Sequence, residues 1–261
     1  MSGMLDGKVA WVVGAAGAIG AETCRRFAAE GASVVLSGRN EASLAEVADA
    51  LPASARATVS VIDVTDRPQV DAAAADLIGK FGRIDILVNS TTCPIFAELD
   101  KLSDDDWMAV LDAKVLGYMR TARAVLPHMS KQGTGSIINV SGRGGHQPNS
   151  PSHLAGSCSN GAVNTLTKGL ANIYGPRGIR VNAIAPGPVR SPRYEVIAAA
   201  NRAIAAKSGN PERSGSSAAN PLGEMSEVGD IADAALYLAS GLSGFVTGIV
   251  LQVDGGGTAS L

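Results

Sequence analysis

The 261-residue chain reads as an α/β protein with a seven-stranded parallel sheet, doubly wound, with helices on both faces. Three observations predict this. Short β-branched runs alternate with amphipathic stretches along the whole length. The runs are apolar throughout, as strands covered on both faces must be. The first run also ends in a cluster of glycines that leads directly into a helix.

The elements follow in order. Residues 8–13 form the first strand, and 17–30 a helix stopped by Gly31. Residues 33–37 return as strand, and 41–51, rich in Ala, Leu and Glu, as helix. A third strand over 58–62 precedes a helix over 69–80, and 85–88 is the fourth strand. A long helix runs from about 103 to 130, with Ser103 and Asp106 spaced as a capping box. Then come strand 136–140, helix 154–174, strand 180–185, helix 227–240 and a last strand over 249–253. No linker divides the chain, so residues 1–261 read as one domain. The one low-complexity stretch, 207–220, reads as a surface loop or a lid over a cleft. With the substrate-side segment before it, the mobile lid is expected over about 191–220.

Composition excludes several functions. Basic residues number 22 and acidic ones 24, a net charge of −2, so bulk charge does not point to nucleic acid. Apolar residues make up 46% and charged ones 18%, which is globular composition. Cys24, Cys93 and Cys158 are dispersed and form no CxxC, so neither a disulfide framework nor a metal site is expected. A reducing, cytoplasmic setting suits them. The apolar stretch 9–21 contains four glycines and is too short to span a bilayer. It could pass for a signal-peptide core behind Lys8, but a buried strand running into a glycine turn fits the helical pattern that follows.

The glycine cluster reads Gly14-Ala15-Ala16-Gly17-Ala18-Ile19-Gly20. Glycines at a strand–helix junction allow a tight turn and close approach of a pyrophosphate. The helix N-terminus then offers free N–H groups. Gly14, Gly17 and Gly20 are therefore expected in a Rossmann-like dinucleotide site. The second strand ends Ser37-Gly38-Arg39, where an acidic residue would hold the ribose hydroxyls of NAD. Glycine leaves room there, and a guanidinium matches a 2′-phosphate, so Arg39 points to NADP(H) rather than NAD(H). The alternative is a plain surface arginine. Asp63, after the third strand, is either an acceptor for the adenine amino group or a turn cap.

With these residues in hand, the chain resembles the compact short-chain dehydrogenases/reductases over nearly its whole length. The resemblance rests on residues 8–20, on Asp63-Val64, on 85–89, on 178–188 (GIRVNAIAPGP) and on 245–256 (FVTGIVLQVDGG). It implies a dinucleotide-binding N-terminal half and a substrate-binding C-terminal half. It implies that Val64 joins Asp63 at the adenine, and that Ile19, Asn89, Gly187, Val189 and Ser191 line the cofactor groove. It also implies a homo-oligomer, tetramer or dimer, joined through the two long central helices and through the last helix and strand.

The catalytic end departs from the family pattern. These enzymes use a serine, a tyrosine and lysine in a YxxxK helix, and an asparagine. In the register set by Ala162-Val163 and Leu166-Thr167-Lys168, the tyrosine place is Gly156 and the lysine place Asn160. Gly142 stands at the serine place behind Ser141, and Lys114 at the asparagine place. The middle glycine of the first turn is Ala18, and NNAG after strand four is Asn89-Ser90-Thr91-Thr92. Another proton source is then needed. His146 and His153 precede the catalytic helix and titrate near neutrality, or are solvated loop residues. Arg143 is suited to an anionic substrate or an oxyanion, or is a surface arginine. Ser141 and Ser157 offer hydroxyls. Lys114 and Asn160 invert the family's asparagine and lysine, so Lys114 either reaches the site from the other helix as a partly buried acid or snorkels to the surface.

Three functions stay open at this level. The first is an NADP(H)-dependent oxidoreductase on a small carbonyl or alcohol, with a non-standard proton donor. The second is a lyase, isomerase or dehydratase on the same fold. The third is a cofactor-binding protein without turnover. Fold alone does not choose among them.

Overall fold

The computed structural model describes residues 3–148, 150–208 and 220–259. Its strands are β1 (Val9–Val13), β2 (Ser33–Gly38), β3 (Arg56–Val61), β4 (Ile86–Asn89), β5 (Gly135–Val140), β6 (Ile179–Pro186) and β7 (Val250–Val253). They form one sheet in the order β3-β2-β1-β4-β5-β6-β7, with every pair parallel. The chain starts in the middle, winds outward to β3, returns beside β1 and winds the other way. A crevice therefore opens between β1 and β4 at the carboxyl ends of the strands.

The helices are α1 (Ala18–Ala29), α2 (Glu41–Asp49), α3 (Arg67–Phe81), α4 (Asp104–Leu111), α5 (Gly117–Gln132), α6 (Leu154–Tyr174), α7 (Pro192–Ser208) and α8 (Val228–Ala239). Alternating strand residues feed two cores, one on each face. Ala10, Val12, Val34 and Leu36 pack with Phe27, Leu44, Ile231 and Ala235 on the side of α1, α2 and α8. Trp11, Val13, Val35 and Leu87 pack with Val70, Leu77, Val125 and Ala171 on the side of α3, α5 and α6. Apolar strands buried from both sides need no polar face, so the sequence pattern and the layers agree. The edge strand β3 is the exception, with Arg56, Ala57 and Val61 exposed.

Two expectations need correction. The helix expected over 103–130 is not continuous. Ser103 and Asp106 do form the capping box. After α4, however, residues Asp112–Leu116 make a π-helical turn before α5 resumes. Lys114 lies within this turn and is buried, in line with Val110 before it and Tyr118 after it. Secondly, the expected lid over 191–220 is largely the helix α7. Asn201, on α7, is buried and accepts from the Ser152 hydroxyl at 2.7 Å and the Ser150 hydroxyl at 3.2 Å, which pins the helix to the loop before α6. Residues 209–219 of that expectation lie outside the described residues. Among the described residues, no helix is long and apolar enough to cross a membrane.

Candidate active site

The glycine turn is built as a strand–helix junction requires. Gly14 has φ of 91°, and a Cβ there would fall 2.7 Å from the Ser90 carbonyl group, so only glycine fits. A Cβ on Gly20 would strike the Gly14 carbonyl oxygen, so this glycine lets α1 pack onto the turn. Gly17 is the N-cap of α1, with no side-chain cap and no acidic residue in the first turn. The helix end is left to an external anion.

That helix end opens on a cavity of about 730 Å³ at the β1–β4 crevice. Gly17, Ile19, Gly187, Val189 and Ser191 lie on its wall. So do Lys114, Ser141, Arg143, His153 and Asn160. Ser191 also opens α7: its hydroxyl accepts from the Tyr194 N–H at 3.3 Å and donates to the Val189 carbonyl at 3.1 Å.

Lys114 is buried, and its Nζ donates to the Ser141 carbonyl oxygen at 3.1 Å. It sits 5.9 Å from the ring centre of Tyr118. Burial, with the Arg193 cation nearby, pushes its ammonium down to about 7. A lysine near neutrality is poised to give or take a proton. Tyr118 is buried too. Its hydroxyl lies 3.0 Å from the Val140 carbonyl and 3.1 Å from that of Thr91, and donates between them. Burial raises its phenol well above the usual range.

His153 caps α6 and turns its ring inward. The ring stands 5.5 Å from Phe96 and its Nε2 is 3.5 Å from Nη2 of Arg193. Burial, then Arg193 and Lys114, push its imidazole down to about 3, so it is neutral at pH 7. A Cβ on Gly156 would fall on this imidazole. Asn160 occupies comparable space beside Gly142, where a Cβ would meet its Nδ2 at 2.7 Å. Its Oδ1 is buried without a hydrogen-bond partner.

Other expected residues sit elsewhere. His146 is exposed, does not line the cavity, and pairs with Asn164 at 3.2 Å, which corrects its reading as a proton source. The Ser141 hydroxyl donates to the Ile184 carbonyl at 3.1 Å, so its carbonyl, holding Lys114, is the group that serves the cavity. The Asn89 side chain is fully buried, donating to Asn139 at 3.0 Å and accepting from Thr121 at 2.7 Å. It ties the strands together, and Asn89 does not line the cavity. Val64 is buried under Gly117, and its carbonyl accepts from Arg120 at 3.0 Å.

Arg39 is exposed at the end of β2 and has no hydrogen bond or ion pair among the described residues. Asp63 accepts from the Thr65 N–H at 2.8 Å and its hydroxyl at 2.7 Å, the turn-capping geometry. Burial works against its charge, but the Thr65 bonds, with Arg39 and Arg120 nearby, outweigh it and hold the carboxyl below the usual range. Its second carboxylate oxygen stays available.

Sequence reasoning missed Arg193, Tyr118 and Phe96, all on the cavity wall. The Arg193 guanidinium stacks on Phe96 at 5.1 Å from the ring centre. Nothing in the local pattern around Arg193 distinguishes it from a surface arginine; the docking of α7 turns it inward.

The uncapped α1 end, the tight glycine turn that leads into it, and Arg39 beside Gly38, unpaired among the described residues, together fit a nicotinamide dinucleotide. Comparison with known proteins agrees. A family model described as enoyl-(acyl carrier protein) reductase matches residues 14–258. The chain is 36% identical over 257 residues to the 3-oxoacyl-[acyl-carrier-protein] reductase FabG of Thermotoga maritima, covering 97% of this chain and 98% of the relative. It is 37% identical over 256 residues to the galactitol 2-dehydrogenase (L-tagatose-forming) of Cereibacter sphaeroides, covering 97% and 96%. The crystal structure of a gluconate 5-dehydrogenase from Burkholderia cenocepacia, in complex with NADP and tartrate, superposes with a TM-score of 0.85 at 32% identity, covering 98% of this chain and 97% of that one. By fold, by the strand–glycine–helix junction and by these relatives, the chain belongs to the short-chain dehydrogenase/reductase family of oxidoreductases.

Proposed function

We propose that the protein is an NADP(H)-dependent oxidoreductase that interconverts a small carbonyl and its alcohol, with Lys114 as the proton donor and acceptor. The observation that carries this reading is the position of Lys114. Its ammonium is buried on the wall of the same cavity onto which the uncapped α1 terminus opens. The reading rests on the sequence register in which Gly156 and Asn160 stand at the tyrosine and lysine places of the family pattern, which calls for another proton source.

The bound nicotinamide would supply or receive a hydride. Gly14, Gly17, Ile19 and the α1 N-terminus would hold the pyrophosphate end, and Arg39 the 2′-phosphate. Asp63 would accept from the adenine. Gly187 and Val189 would flank the nicotinamide end. In the reducing direction Lys114 gives a proton to the carbonyl oxygen. One of its three N–H groups is held by the Ser141 carbonyl, which aims the others at the cavity. In the oxidising direction the neutral amine takes the proton back. His153, neutral and half-buried, orients the substrate oxygen by a hydrogen bond.

Residues 1–261 are read as one working unit in the cytoplasm, assembling with further copies of the chain. Exposed Leu242 and Phe245 beside β7 support such an assembly.

The test is calorimetric titration with NADPH and, separately, NADH, followed by a panel of carbonyls and alcohols monitored at the nicotinamide absorbance. Tight NADPH binding with turnover supports the reading. Binding without any hydride transfer, alongside substrate proton exchange, replaces it with a non-redox activity. No binding of either nucleotide removes it.

A further inference from the structure

The cavity wall is cationic without compensation. Lys114, Arg143 and Arg193 line it, and no aspartate or glutamate does so among the described residues. Arg143 is only 7% exposed, yet its side chain has no hydrogen bond or ion pair among the described residues. The residue lines the cavity, and its guanidinium lies beside the C-terminal tail: a Cβ on Gly257 would come within 2.5 Å of its Nη1. Arg193 has Phe96 and the neutral His153 as neighbours, not a carboxylate. Burying a guanidinium is unfavourable unless an anion meets it. Among the described residues, none does so.

The nucleotide does not resolve this. Its phosphates belong to the α1 terminus and to Arg39, on the other side of the crevice. An oxidised nicotinamide is itself cationic and would add to the excess. The orphaned Oδ1 of Asn160 adds a second clue, since it is a buried acceptor that lacks a donor. A hydroxyl would satisfy it.

We propose that the substrate is a small hydroxy or oxo acid, whose carboxylate is held by Arg193 and Arg143 and whose second hydroxyl meets Asn160. This rests on the reading of the cavity as the substrate end of an oxidoreductase. Arginine suits the role, because its planar fork binds a carboxylate through two parallel hydrogen bonds. Phe96 keeps the Arg193 fork flat and aimed. A bound carboxylate also lies near Lys114 and favours its protonated form, so substrate binding prepares the proton donor.

The test pairs acids with neutral partners of the same size. The full chain, with NADP(H) present, is titrated calorimetrically with glycerate against glycerol, and with C4–C6 polyhydroxy acids against the matching polyols. Inorganic phosphate is the control for any anion. Acids are expected to bind and neutral partners not, with proton uptake seen as a heat that changes with the buffer. Arg193→Met and Arg143→Met should each weaken acid binding by about tenfold or more, and Arg193→Lys should recover part of it. Arg143→Met should also melt at or above the wild-type temperature, because a cation kept for a ligand costs stability without one. A merely structural arginine would show the opposite.

Equal binding of acids and polyols overturns the proposal, as does undiminished acid binding by both methionine variants. Phosphate binding without any carboxylate binding overturns it as well. If Arg143→Met fails to fold, the role of Arg143 falls and Arg193→Met decides the rest. Acid binding without turnover leaves the anion site standing and removes the oxidoreductase reading. Turnover of neutral alcohols without acid binding does the reverse.

Discussion

The two ends of the sheet treat charge in opposite ways. At the amino end, Asp85 is buried just before β4 and fully engaged. It accepts from the Val9 N–H at 3.0 Å and from Nε of Arg83 at 2.8 Å, with Lys8 at 3.6 Å. At the carboxyl end, Lys114 has one carbonyl and Arg143 has no partner among the described residues. The amino end is complete by itself and serves stability. The carboxyl end leaves cations that a bound anion, as proposed above, would meet. The same fold thus separates a structural edge from a chemical edge, and unpaired charge is the signature that tells them apart.

The largest expected effect breaks the chemical edge. Lys114→Met should lower turnover by about 10²–10⁴, the usual loss of a general acid, with NADPH binding unchanged. It should also alter stability. The folded ammonium titrates at about 7 and the unfolded one at the ordinary 10.5. Unfolding therefore takes up a proton between those values, and wild-type stability rises with pH across that window. The slope approaches about 1.4 kcal/mol per pH unit at most. Below it both states are protonated and the cost of burial is fully present. The methionine variant loses the slope and gains most over wild type at the acid side; urea midpoints from pH 6 to 9 would show it. A variant whose curve parallels the wild type would mean that Lys114 stays charged. In the same window, wild-type kcat/KM for carbonyl reduction should fall as pH rises through about 7.

Next comes the structural edge. Asp85→Ala should cost about 1–3 kcal/mol by leaving the Val9 N–H unpaired, while nucleotide affinity is preserved. Loss of nucleotide binding in this variant would undo the separation of the two ends. Third, Arg39→Ala should weaken NADPH by about tenfold and leave NADH unchanged. Equal weakening of both would return Arg39 to a plain surface role. The smallest effect is that of His146→Ala, where stability should stay within about 0.5 kcal/mol and turnover should not change.

The strand order and the glycine junction were legible because their causes are local. Apolar period, helix stops and glycines act on neighbouring residues. The cavity was legible only in part. Lys114 could be suspected, since it falls four residues from each of the buried Val110 and Tyr118, but the π turn at 112–116 leaves no mark in a continuous helical pattern over 103–130. Arg193 was missed because its direction depends on α7 being pinned by Asn201 to Ser150 and Ser152, contacts about fifty residues apart in sequence. His146 and His153 look equivalent in a loop. One is exposed and the other fills a space beside Gly156, a difference set by tertiary packing.

That filled space has a historical consequence. Because the His153 imidazole occupies the volume of any side chain at 156, a new residue there is tolerated only after 153 has already become smaller or turned away. Asn160 guards position 142 in the same manner. The four positions are therefore coupled in pairs. A side chain introduced at 156 has to be accompanied by a movement or replacement of His153, and one at 142 by a movement of Asn160, so packing constrains which single changes can follow one another.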